Sequence, residues 1–184
     1  IEFAQQGLEK TVRAIRDNFP GTTEAQALDM ITVGFQNGLN SSGDFLDSIT
    51  EYSTQFGNGG ASASQFFSVL ETGLGTGVLG TDKAGDLFKE FVVRIQDGST
   101  LTRESLTMLG LDADKVLTGL ANRTLKPIDA FNMVQGALAK TDDQAVLMQA
   151  GVGLLGTQFE DLGASAATGV TTMSSTFQNV GGAV

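Results

Sequence analysis

The stretch Asp44-Phe45-Leu46-Asp47-Ser48-Ile49-Thr50-Glu51-Tyr52-Ser53-Thr54-Gln55-Phe56, closed by Gly57-Asn58-Gly59-Gly60, decides the fold class. Phe45, Ile49, Tyr52 and Phe56 recur at i, i+4, i+7 and i+11. That spacing gathers them on one face of a 3.6-residue helix and leaves polar residues on the other. A half-buried strand would need apolar residues at every second position. Ser42 and Asp44 are residue types that start helices, and the glycine run is a helix stop.

The same grammar holds on both sides. Leu8, Val12, Ile15 and Phe19 repeat the stripe, and Pro20-Gly21 ends it. Thr22 or Thr23 caps the next helix, with Glu24 in its first turn and Leu28, Ile31 and Phe35 on its apolar face before Gly38. Ser62 or Ser64 starts a helix holding Phe66, Phe67 and Leu70, and a glycine-rich link runs from Gly73 to Gly80. Asp82 or Asp86 begins a further helix with Leu87, Phe88, Phe91, Val92 and Ile95, closed by Asp97-Gly98. Helical stretches are predicted near 102–109 and 112–122. Pro127 suits a first helical position before Ile128, Phe131, Val134 and Leu138. Thr141 is predicted to cap a helix to about Gly153, with another over Thr157 to Ala167.

No segment alternates with period two, so the expected fold is all-α: an array or bundle of short helices joined by Gly-rich loops. Asp44-Phe45-Leu46, Asp86-Leu87-Phe88 and Asp129-Ala130-Phe131 each sit at an expected helix start, about 42 residues apart. Helix pairs repeated at that period describe a solenoid. Asp at helix starts is also common by chance, so a repeat and an irregular bundle both remain open. Residues 1–167 are expected to be a single domain and 168–184, rich in Thr, Ser and Gly, a flexible tail or linker. The start at Ile1 and the end at Gly-Gly-Ala-Val suggest a piece cut from a longer chain.

Composition narrows the chemistry. Apolar residues make up 41%, enough for a core, and no apolar run reaches the roughly 18 residues of a membrane-spanning helix. Eleven basic residues face 21 acidic ones, a net charge of −10. That balance opposes a grip on phosphates or anionic lipid, since both need clustered Lys and Arg. Cysteine and histidine are absent, which removes disulfides, the commonest transition-metal ligands and every Ser–His or Cys–His arrangement.

The remaining candidate sites read better as structure. Gly75-Thr76-Gly77-Val78-Leu79-Gly80 matches G-x-G-x-x-G literally, but a dinucleotide site needs a strand before it. A plain loop between helices is the expectation. Asp82 and Asp86 could share a hard cation, but Asp near a helix start also satisfies free N–H groups. Asp112 and Asp114 open like a calcium loop and then lack its Gly and terminal Glu. Asp142-Asp143 and Glu160-Asp161 read as first-turn or solvated charges. Glu90 and Arg94 form an i, i+4 pair in the favourable order, worth roughly 0.3–0.5 kcal/mol when exposed. No catalytic residue, cofactor site or metal site is predicted.

Two stretches carry a resemblance. The first is Thr81-Asp82-Lys83-Ala84-Gly85-Asp86-Leu87-Phe88-Lys89-Glu90-Phe91, continuing through Arg94 and Asp97-Gly98-Ser99. The second is Gly153-Leu154-Leu155-Gly156-Thr157-Gln158-Phe159-Glu160-Asp161-Leu162-Gly163. Both resemble the tail tape-measure proteins, or phage-related minor tail proteins, of long-tailed phages and prophages. The likeness spans roughly residues 22–167. It marks Asp82, Lys83, Gly85, Asp86, Glu90, Arg94, Gly156, Thr157, Glu160 and Asp161 as family-motif positions, structural and not catalytic.

The resemblance implies a structural, non-enzymatic tail component that acts in tail assembly, length determination and DNA passage. The implied partners are tail-tube, tail-tip and tail-assembly chaperone proteins, with self-association in the intact tail. The implied location is the virion tail, or the host bacterial cytoplasm during assembly. A continuous helical ruler gains 1.5 Å per residue, and interior glycine costs about 1 kcal/mol relative to alanine. So many breaks point to a folded part of such a protein. Two rivals remain: a helical-repeat protein-binding module unrelated to tails, and a carboxylate-based cell-wall hydrolase domain.

Overall fold

Several helices begin where the preceding side chain satisfies free N–H groups, and the computed structural model, which describes residues 2–77, 80–178 and 180, shows which residue does so. Helix α1 (Glu2–Asn18) runs into Pro20. Thr23 caps α2 (Glu24–Gln36) in a reciprocal capping box with Gln26, and Ser62 does the same with Gln65 for α4 (Ala63–Gly75). Between them lies α3 (Phe45–Asn58), the helix of the opening stretch. Next come α5 (Thr81–Asp97), ended by left-handed Gly98, and α6 (Thr100–Met108), capped by Ser99. Asp112 caps α7 (Ala113–Ala121), and Pro127 is the first residue of α8 (Pro127–Ala139).

Two expected starts move, and one expected helix divides. Helix α9 (Gln144–Leu155) is capped by Asp143, whose carboxylate accepts from Ala145 N and Val146 N, and not by Thr141. The Thr141 hydroxyl is instead spent on the preceding helix, donating to Ala137 O. Helix α5 starts at Thr81, so Asp82 falls in its first turn and Asp86 a turn further in. The helix expected over 157–167 is two pieces, α10 (Thr157–Leu162) and α11 (Ala164–Thr168), divided at Gly163. A last turn, α12 (Ser175–Gln178), closes the described chain.

All regular elements among the described residues are helices. None is long and apolar enough to cross a membrane. Helix α5 is the hub. It packs on α3, α4 and α9 and also touches α6, α7, α8 and α10. A solenoid unit touches only its neighbours in sequence. Helix α12, however, packs back on α4, and α10 reaches α5, each past an intervening helix pair, so the arrangement is an irregular bundle around α5 and the 42-residue spacing of Asp44, Asp86 and Asp129 is not the period of a linear array.

The stripes predicted from spacing meet as one apolar cluster running from Val12 to Phe177, except at Phe35, which stays exposed and touches the core through an edge contact with Phe45. Its spine is aromatic. Phe19 stacks on Phe66 at 5.6 Å, and tilted contacts join Phe66 to Phe56 at 4.5 Å and Phe56 to Phe88 at 4.2 Å. Phe88 and Phe91 each meet Phe131 edge-on at 5.4 Å. Such pairs contribute about 0.5–1.5 kcal/mol each beyond the area they bury. Residues 170–178, within the stretch marked by composition as a tail, lie against α4 and α8 with Val170 and Phe177 buried. Asn179 and residues 181–184 of that stretch lie outside the described residues.

Candidate functional site

The two resemblance stretches, about 70 residues apart, come together along α5. Gln158, on α10, donates from its side-chain amide to the Asp86 carboxylate. One turn further along α5, Glu90 and Arg94 form an ion pair with Nε 3.5 Å from Oε2. The pair is about one-third exposed, and Arg94 Nε has no hydrogen-bond acceptor. It is a loose contact, in line with the small value expected from the spacing.

Gly156 sits directly over this pair. Its φ is +77°, and a Cβ there would lie 3.1 Å from Arg94 Nε and 3.2 Å from Glu90 Oε2. Both the backbone angle and the space call for glycine. Gly85 answers a different demand. A Cβ on this helix residue would lie 2.5 Å from Cδ2 of the Tyr52 ring, so α3 and α5 approach closely here. Of the motif positions, Gly85, Asp86, Glu90, Arg94 and Gly156 thus meet neighbours inside the bundle. Lys83, Thr157, Glu160 and Asp161 are exposed.

Asp82 belongs to a second cluster, at the start of α5. Gly80 precedes the helix and provides no side-chain cap. The cap comes from Asp44, 38 residues earlier: Asp82 N–H donates to Asp44 Oδ2 at 3.2 Å, and the Thr81 hydroxyl donates to Oδ1 at 3.0 Å. Ser42 also donates to Oδ1, and the buried hydroxyls of Thr81 and Ser48 are hydrogen-bonded at 2.9 Å. Burial alone would raise the Asp44 pKa, but bonds from Ser42, from the Asp82 amide and side chain and from Thr81 outweigh it. The result lies below the ordinary carboxylate value. Asp82 moves up, first through burial and then through the neighbouring Asp44 carboxylate, with the Lys83 amide and charge acting against the rise. Tyr52 is also raised, by burial and by the charges of Asp86, Glu51 and Asp82.

Two carboxylates with opposed shifts are what acid–base chemistry uses. Here the Asp44 oxygens are occupied by Ser42, Thr81 and Asp82 N–H. The pair lines neither of two grooves found among the described residues. One groove, about 960 Å³, lies along α1 and α2 and is lined by Leu8, Val12, Arg13, Arg16, Glu24 and Leu28 among others. The other, about 490 Å³, lies beside α8 at Leu109, Leu111, Met133, Gly136 and Lys140. Among the described residues no three acidic side chains are grouped to hold a metal ion. In the G-x-G-x-x-G match, Gly75 ends one helix and Gly80 precedes another. Val78 and Leu79 lie outside the described residues. The element before the motif is a helix, where a dinucleotide turn requires a strand.

Sequence reasoning missed Asp44, Ser48 and Thr81 as members of a cluster, and Gln158 as the partner of Asp86. Asp44 was legible as a helix-start residue, but nothing local tells which helix it caps.

The family described as phage-related minor tail protein matches residues 10–156. The matched span takes in the α5 motif positions and Gly156 and stops before Thr157, Glu160 and Asp161. No curated protein and no solved structure matches the chain.

Proposed function

The chain belongs to the phage-related minor tail protein family, and from that premise we propose that it is a folded domain of a tail tape-measure protein. In this reading it acts in tail assembly and length determination and in DNA passage at infection, without catalysis of its own. Its partners are tail-tube, tail-tip and tail-assembly chaperone proteins. It resides in the host bacterial cytoplasm during assembly and afterwards in the virion tail.

One observation supports a folded domain over an extended measuring segment. The longest helices, α1 and α5, have 17 residues, which corresponds to about 26 Å of rise. The chain then turns back, and the aromatic spine ties the helices together. The net charge of −10 suits a protein past which DNA must move without sticking.

The test is electron microscopy of tails from the encoding phage or prophage after in-frame deletion of residues 10–156. A folded domain predicts failed assembly, or tails altered by far less than a helical ruler would give. For the 147 residues of that span, a ruler predicts shortening by about 220 Å. Shortening of that size would refute the folded-domain reading. Normal assembly, tail length and infectivity would refute a tail role for this region.

A further inference from the structure

Residues 170–174 cross without helical structure between α4 and α8, two helices that make little direct contact with each other. Their ties alternate between the two. Gln135 of α8 donates to Ala167 O at 2.7 Å and to Val170 O at 2.8 Å. Thr72 of α4 accepts from Thr171 N–H at 2.9 Å and donates to Thr171 O at 3.0 Å. Thr172 donates to Asn132 Oδ1 of α8 at 2.9 Å, and Ser174 donates to the Glu71 carboxylate of α4. Further on, Ser64 donates to Phe177 O at 2.8 Å, and the Phe177 ring lies 5.2 Å from Phe67. The segment clasps α4 to α8, and it does so almost wholly through side chains.

Closure leaves polar groups unsatisfied. The Gln135 amide nitrogen is spent on two carbonyls, which fixes the orientation of the group, and its buried Oε1 has no partner in the protein. Val170, Thr172 and Ser174 are buried, and among the described residues their N–H groups find no acceptor. A buried donor or acceptor without a partner gives up its hydration and gains nothing in exchange. Opening the segment returns these groups to solvent. What opposes opening is small: the two apolar anchors, Val170 and Phe177, and the side-chain ties. After Asp161 the sequence has no charged residue, so no ion pair locks the segment in place. Ordering it also costs chain entropy, which places it at the low end of local stability.

We propose that residues 170–178 are a releasable clasp, which leaves α4 and α8 as one unit while the helical bundle stays folded and so opens and closes the seam between those helices. Closed, the clasp seals Phe67 and the Gln135 amide from solvent. Open, it uncovers a slot with an apolar floor at Phe67 and polar edges at Thr72, Asn132 and Gln135. Release is easier than global unfolding because it gives up two apolar anchors, relieves the unsatisfied groups and leaves the aromatic spine from Phe19 to Phe131 untouched.

Amide hydrogen exchange on the intact chain tests the release, with Thr171 as reporter because its N–H is bonded to α4. Thr171 should exchange at least about 100-fold faster than α5 core amides such as Phe91, with a urea dependence that is a small fraction of the global one. Exchange at the α5 rate and with the full urea slope would overturn the proposal. Phe177→Leu trims an anchor six residues from the reporter. Release as a unit predicts several-fold faster exchange at Thr171 with α5 unchanged, and an unaffected Thr171 would overturn it. A disulfide supplies the converse. A Cβ on Gly169 would lie 3.1 Å from Thr76 Cβ, within reach of a bridge after a small shift, and the chain has no cysteine to compete. In Thr76→Cys/Gly169→Cys, closing the bridge should slow Thr171 about tenfold or more, and reduction should restore the rate. A closed bridge that leaves Thr171 as fast as before would mean local fraying and would overturn the clasp. Circular dichroism checks that each variant keeps its helix.

Discussion

Replacing Asp44 by alanine distinguishes a local reading of the helix starts from a tertiary one. By sequence, Asp44 precedes Phe45 and should cap α3. In the structure it makes no side-chain cap there, and Phe45 N–H donates to Asn40 Oδ1 at 3.3 Å. The Asp44 carboxylate reaches the Asp82 amide and the Thr81 hydroxyl at the start of α5. Losing an N-cap costs about 0.5–2 kcal/mol, and the lost bond to the Thr81 hydroxyl adds about 1 kcal/mol. Relief of the repulsion with Asp82 offsets part of this. The expected net loss is about 1–2 kcal/mol at neutral pH, or about 2–8 °C in Tm for a chain of this size. The sign of the pH dependence follows from the depressed Asp44 pKa. Its contribution is present above the unfolded value near 3.9 and is lost as pH falls through the lower folded value. The gap between D44A and the parent should therefore close in strong acid. Amide hydrogen exchange locates the damage. Faster exchange should appear in the first turn of α5, at Asp82, with the first turn of α3 unchanged. Loss of protection at α3 with α5 intact would refute the reasoning.

Asp82→Asn should stabilise the bundle at neutral pH, because the raised Asp82 pKa means that its ionised form is disfavoured in the fold. The benefit should shrink as pH falls through the raised folded value and be gone below about 3.9, where Asp82 is protonated in the folded and unfolded chain alike, and urea melts at several pH values check it. Tyr52 is the only tyrosine, so absorbance at 295 nm reports it alone. Its raised pKa predicts no phenolate in the folded chain as pH passes 10, while the urea-unfolded chain titrates near that value; the phenol's contribution to stability is complete below about pH 10 and is lost above it. Gly151→Ala places a Cβ 2.5 Å from Cδ1 of the fully buried Phe159 ring. Overpacking of about 1–3 kcal/mol should outweigh the gain of up to about 1 kcal/mol in helix propensity, which denaturation midpoints will show as a net loss. Phe88→Ala removes the ring joining Phe56 to Phe131 and should cost about 3–5 kcal/mol in the same assay.

Much of the fold was legible because helix signals are local. The 3.6-residue stripes, the Thr23 and Ser62 capping boxes and the Pro127 start each depend on residues within a few positions of one another. The aromatic core could be foreseen as a set of stripes, such as Phe45–Phe56 and Leu87–Ile95, but not as a packing order. The miss at Thr141 was a competition between two adjacent capping residues, which a hydroxyl's alternative bond to Ala137 O decided. The motif glycines were legible only as glycines. That Gly85 admits the Tyr52 ring and Gly156 covers the Glu90–Arg94 pair depends on helices from other parts of the chain.

By itself, the sequence determined the all-α class, most helix boundaries, the acidic net charge and the want of His and Cys chemistry. These follow from periodicity, from residue types at helix ends and from composition, none of which needs a partner distant in the chain. Only the tertiary structure decided that α5 is the hub, that Asp44 caps α5 across 38 residues and that Val170 and Phe177 are seated on α4 and α8. Each of those depends on which surfaces meet when the apolar stripes are buried together. Burial is non-directional, so it requires that the stripes meet without specifying the order in which they do.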